Sequence, residues 1–321
     1  MKLILAPMEG VVDFHMRQLL TDIGGFDLCV TEFIRVVDAL LPARVFHRYC
    51  PELNNQGKTQ SGTPVRIQLL GQHANVLAEN AQRAVELGSH GVDLNFGCPA
   101  KTVNKSKGGA VLLKEPEQIY QIVKAVRDAV PVDDEVSAKV RLGFDDCSQS
   151  QEIFDAVCSA GASSIAIHAR TKRDGYRPPA YWEKIKPLKV TSDINVVANG
   201  EVWNFDHYRL CQQRSGCDDV MLGRGALAKP DLAAEIVSKR NGEHYTALSW
   251  QQILHHIIDS SMHCDGGNSE RYFASRTKQW LGYLKLQYTD ANLFFEEIKR
   301  LKSSQEVLDK ILQASNKVTT C

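Results

Sequence analysis

Cys98 lies in Gly91-Val92-Asp93-Leu94-Asn95-Phe96-Gly97-Cys98-Pro99-Ala100, where Val92 to Leu94 read as a short buried strand that Gly97 and Pro99 end at once. Asn95 and Cys98 therefore fall where a strand gives way to a loop, the end at which parallel α/β architectures hold ligands. Free cysteines are often buried as small apolar side chains. A thiol between glycine and proline at a strand exit is poorly placed for that role. Other apolar runs end in equally reactive types: Gln68, Lys139 and His168. An amide, a cation and an imidazole facing one ring could hydrogen-bond the heteroatoms of a flavin, the cation favouring charge near the reduced ring. Two further exits, Asn199-Gly200-Glu201 and Gly223-Arg224-Gly225, carry glycines that let backbone N–H groups approach an anion, with Arg224 as a fixed charge. A single Gly-x-Gly is an ordinary turn. Two glycine loops at consecutive exits point to a phosphate-bearing cofactor.

The elements that position these residues repeat along the chain. Strands are expected at Leu3 to Ala6, Leu28 to Thr31, Val65 to Leu69, Val92 to Leu94, Val136 to Val140, Ser164 to Ile167, Ile194 to Ala198 and Asp219 to Leu222. Helical segments separate most of them: one opens at Asp13 as N-cap, Val76 to Leu87 is amphipathic, and another runs from Glu115-Pro116 until Pro131 stops it. Eight short apolar strands over roughly 230 residues fit an eight-stranded parallel (β/α)8 TIM barrel better than an open sheet. Past Asn241-Gly242 the strand signals cease. Helices are expected at Trp250–Cys264, Glu270–Tyr288, Ala291–Leu301 and Gln305 to Ala314, with a turn at Asp265-Gly266-Gly267-Asn268. The division is thus a barrel at 1–240 and a small C-terminal helical bundle at 241–321.

The 321 residues are 43% hydrophobic and 24% charged, ordinary for a globular protein, and the formal net charge is zero. No bulk field announces a polyanionic partner, so a nucleic-acid surface must be built by local clustering. Nine cysteines form no Cys-x-x-Cys pair and no metal-type spacing, which argues for reduced thiols in the cytoplasm and for no metal. The apolar start stops at Pro7, too short for a signal segment, and no run is long enough to cross a membrane.

Taken in order, Ala6-Pro7-Met8-Glu9-Gly10, Gln68-Leu69-Leu70-Gly71, Asn95-Phe96-Gly97-Cys98-Pro99, Lys139-Val140-Arg141, His168-Ala169-Arg170-Thr171, Asn199-Gly200 and Gly223-Arg224-Gly225 resemble the tRNA-dihydrouridine synthases over the whole chain. Arg35 and Arg276-Thr277-Lys278-Gln279-Trp280 look like the bacterial C subfamily, which acts on uridine 16 of the D-loop. Phe96 and Ala100 depart from residues common in the family, at positions that carry none of the chemistry. The resemblance implies FMN at the barrel mouth, NADPH as reductant, hydride delivered to C6 of a uracil and a proton from Cys98 to C5. A thiol of ordinary pKa, about 8.5, is mostly protonated near neutrality and suits that role. Asn95 would offer donor and acceptor to the uracil edge. The family pattern assigns FMN to Pro7, Met8, Glu9, Gln68, Lys139, His168, Asn199, Gly200, Glu201, Gly223 and Arg224. Arg141 could face either flavin or base.

A stacked base must leave its stack to react, so the surrounding RNA has to be gripped. Lys101, Lys105, Lys107 and Lys114 lie in a stretch without acids beside Cys98, and Lys107-Gly108-Gly109 suggests a mobile lid. Lys172, Arg173 and Tyr176 follow His168. In the tail, Arg271 to Tyr288 holds four cations and no carboxylate. On a helical wheel Phe273, Trp280, Leu281, Leu284 and Tyr288 form the apolar face. Arg276, Gln279 and Tyr283 flank it on one border, and Arg271, Lys278 and Lys285 on the other. A charge run is usually a solvated flank, but acid-free cations beside a flavin barrel favour RNA backbone. Arg35, Tyr176, Arg276, Lys278, Tyr283 and Lys299 are the expected tRNA contacts, on a monomer, with the tail as a recognition module dispensable for FMN binding. The rival functions are a flavin barrel acting on a small pyrimidine or conjugated alkene, and a non-catalytic RNA-binding protein on an old barrel. The basic tail speaks against the first, and Cys98 with the full cofactor set against the second.

Overall fold

The structure, a computed structural model, describes residues 1–262 and 271–316. Eight parallel strands close into a barrel in sequential order: β1 (Leu3–Leu5), β2 (Leu28–Arg35), β3 (Val65–Leu70), β4 (Val92–Asn95), β5 (Val136–Arg141), β6 (Ser164–His168), β7 (Asn195–Asn199) and β8 (Asp219–Leu222), with β8 pairing back onto β1. The helices are α1 (Phe14–Ile23), α2 (Ala43–Tyr49), α3 (Ala74–Glu86), α4 (Lys101–Lys105), α5 (Pro116–Ala129), α6 (Ser150–Ser159), α7 (Lys186–Lys189), α8 (Phe205–Ser215), α9 (Arg224–Ala228) and α10 (Leu232–Arg240). The tail adds α11 (Trp250–Met262), α12 (Tyr272–Leu284), α13 (Thr289–Ile298) and α14 (Ser304–Asn316). The turn expected at 265–268 lies outside the described residues. No helix among the described residues is long and apolar enough to cross a membrane.

Local chemistry sets the boundaries. Asp13 caps α1 by accepting from the Met16 N–H at 3.0 Å, and Pro116 opens α5, where its missing N–H costs nothing. Strand β2 is longer than its apolar run suggests. It pairs with β3 on both sides of a register shift between Val30 and Phe33, so Glu32 to Arg35 belong to the strand and not to its exit.

Strand alternation divides the buried side chains in two. Val65, Ile67 and Leu69 join the main core between strands and helices, whereas Arg66 and Gln68 alternate with them and are also buried. A second, smaller cluster contains Ile4, Ala6, Leu28, Val30, Ala166, Val197 and Met221, from β1, β2, β6, β7 and β8. On β3, β4 and β5 the corresponding positions are polar: Gln68, Asp93 and Ser137 are all buried. Half of the barrel interior is therefore oil and half is a hydrogen-bonded network, and the network lies under Cys98.

The tail is fused to the barrel. Ile253, Leu254, Ile257, Phe273 and Trp280 are buried in the same continuous core as the barrel helices, and Trp280 donates from Nε1 to the Leu227 carbonyl at 3.0 Å. Asp231 at the start of α10 accepts from the Tyr245 hydroxyl and the Leu248 N–H, tying down the irregular segment that leads to α11. Removing α11 to α14 would uncover apolar surface that packs against the barrel, a cost that the expectation of a dispensable module did not include.

Candidate active site

The C-terminal ends of the strands surround a cavity of about 510 Å³, within the roughly 300–1,000 Å³ typical of cofactor sites. All eleven residues expected to hold a cofactor line it, as do Cys98, Asn95, Arg141, Tyr176 and Tyr283. Arg35, Arg276, Lys278 and Lys299 do not.

Cys98 sits on the rim, half-buried, and burial pushes its thiol pKa up. The effect keeps it protonated at neutral pH. The segment after it packs closely against the cysteine loop. The Asn104 amide and the Ala110 N–H both donate to the Cys98 carbonyl, at 2.9 and 3.0 Å. Gly109, at φ +67°, comes so close that a Cβ there would lie 2.9 Å from that same oxygen. Val103 of α4 packs with Phe33 and Leu70 against Cys98. The glycines permit close approach where hinge motion was expected.

Asn95 does not offer a free acceptor to a base. Its Oδ1 takes the Gly97 and Cys98 N–H groups at 3.0 and 2.9 Å, and its Nδ2 donates to Gln68 Oε1 at 2.7 Å. An amide oxygen has two lone pairs, and both are used. Asn95 thus shapes the cysteine loop, leaving one N–H to spare. Arg141, undecided between flavin and base, joins two loops. Its Nε donates to the Gly97 carbonyl at 2.7 Å, and Nη1 to the carbonyls of Thr171 and Gly175 at 3.1 and 3.0 Å.

The other side of the cavity is cationic. Burial, then the neighbouring Arg141, lowers the pKa of Lys139 to about 8, although its side chain reaches the cavity. Its ammonium has no hydrogen-bond partner among the described residues. His168 is buried, and burial together with Arg141, Lys139, Arg170 and Arg224 holds its pKa well below the usual value. Arg170 Nη1 donates to His168 Nε2 at 3.3 Å, which leaves the proton of the neutral ring on Nδ1.

Glu201 adopts a left-handed φ of +60° and binds Arg170, with Arg224 at 3.6 Å and Trp203 Nε1 at 2.9 Å. Its oxygens hold two arginines and the Trp203 indole at the cavity wall. At Gly200, with φ +118°, a Cβ would lie 2.8 Å from the His168 ring, and at Gly225 it would overlap the Val202 carbonyl. The Tyr176 ring, 54% exposed, lies between two guanidinium groups, 5.3 Å from Arg141 and 5.0 Å from Arg224. Arg170, quoted only within its motif, and Trp203, not singled out by the sequence, both line the cavity and hold Glu201. A lone carboxylate at Glu201 among phosphate-binding glycines was the available sign that a buried cation lay nearby.

Two of the tail cations, Arg276 and Lys278, reach protein acceptors, while Arg271 and Lys285 are exposed. Arg276 donates from Nη1 to the Gly10 carbonyl and from Nη2 to Val11, both at 2.6 Å, and pairs with Asp13 at 2.8 Å. Gln279 also donates to Gly10, at 2.8 Å, and Tyr272 to Asp13 at the same distance. Lys278 donates to the Leu301 carbonyl. Both cations thus bind acceptors of the protein, and the Lys278 ammonium keeps two N–H groups beyond the one it gives to Leu301. Arg35 and Lys299 are exposed, Lys299 beside Glu296.

The residues suit FMN. An unpartnered ammonium and an imidazole Nδ1–H face a cavity of cofactor size, and the cations outnumber the acids around it. The sequence pattern described as "Dihydrouridine synthase (Dus)" matches residues 4–319. The chain belongs to the dihydrouridine synthase family. Its curated relatives include the tRNA-dihydrouridine(16) synthases of Shewanella oneidensis (51% identical, covering 98% of this chain and 99% of that one) and Haemophilus influenzae (52%; 96% and 98%). That of Escherichia coli K12 is 49% identical, covering 96% of each chain. Solved structures share the fold at low identity. A 2-naphthoyl-CoA reductase has a TM-score of 0.56 at 12% identity over 75% of this chain and 50% of that one. The DHODH of Eimeria tenella in complex with ferulenol has 0.53 at 9% over 75% and 82%. The family pattern runs through the tail, which sets this dihydrouridine synthase apart from barrels that share the fold alone.

Proposed function

We propose that the chain reduces uridine 16 of the tRNA D-loop to 5,6-dihydrouridine, with 1–240 as the catalytic part and 241–321 as the part that recognises tRNA. The reading rests on one observation above the others: a protonated thiol at the rim of a cationic cavity of flavin size, in a chain about half identical to tRNA-dihydrouridine(16) synthases along nearly its whole length. FMN, reduced by NADPH, supplies the hydride that C6 of the uracil receives. Pro7, Met8, Gln68, Lys139 and His168 would hold its ring, and Asn199, Gly200, Gly223 and Arg224 its phosphate, with Glu9 at the edge. Lys139 places a positive charge against the ring, and His168 donates from Nδ1. Glu201 keeps Arg170 and Arg224 in place for the anion. Cys98 gives its proton to C5, and a raised thiol pKa keeps that proton available at neutral pH. Arg141 locks the loop carrying Cys98 to the loop carrying Tyr176, so the exposed edge of the Tyr176 ring can meet the flipped base. Arg35 and Lys299, exposed on the surface, would meet RNA phosphate, Lys299 exchanging its Glu296 partner, and Tyr283 closes the cavity from the tail. A tRNA substrate and reduced thiols fit a cytoplasmic enzyme.

The test is to incubate the FMN-loaded protein and NADPH with tRNA lacking dihydrouridine and to map the product by mass spectrometry. Dihydrouridine at position 16 alone is expected. Product at another D-loop position would overturn the position, and none on any tRNA would overturn the reading.

A further inference from the structure

Gln68 and Asn95 belong to a buried hydrogen-bond chain that continues past the cavity floor. Asp93, 1% exposed, lies opposite Gln68 in the strand ladder and two residues before Asn95 on β4, outside the cavity lining. Its Oδ1 accepts from the Ser137 hydroxyl at 2.6 Å and its Oδ2 from Gln68 Nε2 at 2.6 Å. Gln68 Oε1 accepts from Asn95 Nδ2, and Asn95 Oδ1 accepts from the Gly97 and Cys98 N–H groups. Arg66 Nη1 donates to Ser137 from below, at 3.1 Å.

The two ends of this chain have fixed polarity. Backbone N–H groups only donate, so Asn95 must turn its oxygen to the cysteine loop and its NH2 to Gln68. An ionised carboxylate only accepts, so Gln68 must turn its NH2 to Asp93 and its oxygen to Asn95. Burial raises the Asp93 pKa, while the bonds from Gln68 and Ser137 oppose that shift. A carboxylic proton would have only the Ser137 hydroxyl to meet, which can turn to the Val92 carbonyl, so Oδ2 remains an acceptor for Gln68 in that state too. Turning the Gln68 amide over would set oxygen against carboxylate and NH2 against NH2 inside the barrel, each mismatch costing about 1–3 kcal/mol.

We infer that Asp93 is a positioning residue for the reaction: it sets the direction of the Gln68–Asn95 chain, and through it holds the loop that presents Cys98. The role assigned to Cys98 rests on the proposed function, but the order of its loop does not. The same carboxylate limits what Gln68 can offer the flavin to its one remaining N–H and a spare lone pair.

Hydrogen exchange on the full-length chain without tRNA tests this. Peptides spanning Asn95 to Ala100 report the Gly97 and Cys98 N–H groups by mass spectrometry. Asp93→Leu removes the acceptor at similar size, and exchange should quicken by about tenfold as Gln68 and Asn95 lose their register. Asp93→Asn can still give Gln68 an oxygen by turning its NH2 to Ser137, whose hydroxyl has the Val92 carbonyl as a second acceptor at 3.4 Å. Its exchange should stay within about twofold of the parent. Parent-like exchange in Asp93→Leu would overturn the inference, and so would equally fast exchange in both variants, which would make charge and not acceptor geometry the cause. A second cycle covers a misfolded leucine variant. Asn95→Asp sets a carboxylate against Gln68 Oε1 and should weaken FMN binding and quicken exchange. Adding Asp93→Asn lets Gln68 turn over between a new donor and a new acceptor and should restore slow exchange. No recovery in the double variant would also overturn it. Dihydrouridine formation does not enter either measurement, so failure here is separate from failure of the proposed function.

Discussion

Arg276→Ala should loosen the joint between barrel and tail while leaving the salt dependence of tRNA binding unchanged. The guanidinium is mostly buried and makes three contacts with the loop after β1: the carbonyls of Gly10 and Val11 and the carboxylate of Asp13. Gln279 continues to hold Gly10, and Tyr272 continues to hold Asp13, so only the Val11 carbonyl loses its side-chain partner. Two charge-assisted hydrogen bonds and a partly screened ion pair, discounted for those surviving partners, are worth about 2 kcal/mol in total. That loss should lower the melting temperature by a few degrees. It falls on the loop that supplies Pro7, Met8 and Glu9 to the cavity, so FMN should bind several-fold more weakly. The assays are thermal melting with and without FMN, flavin titration by fluorescence, and tRNA affinity over a salt series. An arginine on phosphate would contribute close to one unit of slope in log affinity against log salt. If the slope falls by about one while melting and FMN affinity hold, Arg276 faces RNA and the joint is held by its other contacts.

Cys98→Ala should cut dihydrouridine formation by about 10²–10⁴-fold, the usual worth of a general acid, with NADPH oxidation in the absence of tRNA unchanged. In the parent, activity should fall on the alkaline limb as pH rises through the raised thiol pKa, a limb that pH–rate profiles of the alanine variant should lack. Lys139→Met should weaken FMN binding yet raise the melting temperature of the flavin-free protein at pH 7. The depressed pKa means the folded chain binds fewer protons than the unfolded chain between about 8 and 10.5, so stability rises with pH across that window, and melting of the methionine variant should lack the rise. Gly225→Ala drives a Cβ into the Val202 carbonyl, so the purified protein should be destabilised and poor in flavin by absorbance.

The barrel was legible because buried parallel strands read as unbroken apolar runs, and Val92 to Leu94 and Asp219 to Leu222 are found where those runs place them. Where a run is interrupted the reading fell short: Glu32 concealed the second half of β2, which the pairing with β3 maintains. Short helices such as α2, α4 and α9 span too few turns to show a period. Site residues were legible by type at the strand exits, whereas their commitments were not. Asn95 looks like a free amide in sequence and is saturated by its own loop, and Arg276 looks like a free cation while its acceptors lie 265 and 266 residues away. Long-range hydrogen bonds leave no periodicity to read.

These commitments change how one uridine can be chosen over its neighbours. Successive nucleotides of a strand lie only a few ångströms apart along a helix axis, so a distant RNA platform can select among them only if its position relative to the flavin cavity is fixed. A flexible linker between barrel and tail could not supply that. The structure supplies it through one helix. On α12, Arg276 and Gln279 hold Gly10, Tyr283 lines the cavity one turn further on, and Trp280 is anchored to Leu227 on the barrel side. The border of α12 that sequence assigned to RNA thus also bolts the joint, while Arg35 at the end of β2 and Lys299 after α13 lie exposed. With the tail as the recognising part, as proposed, a change at this joint would move the platform and the cofactor loop together.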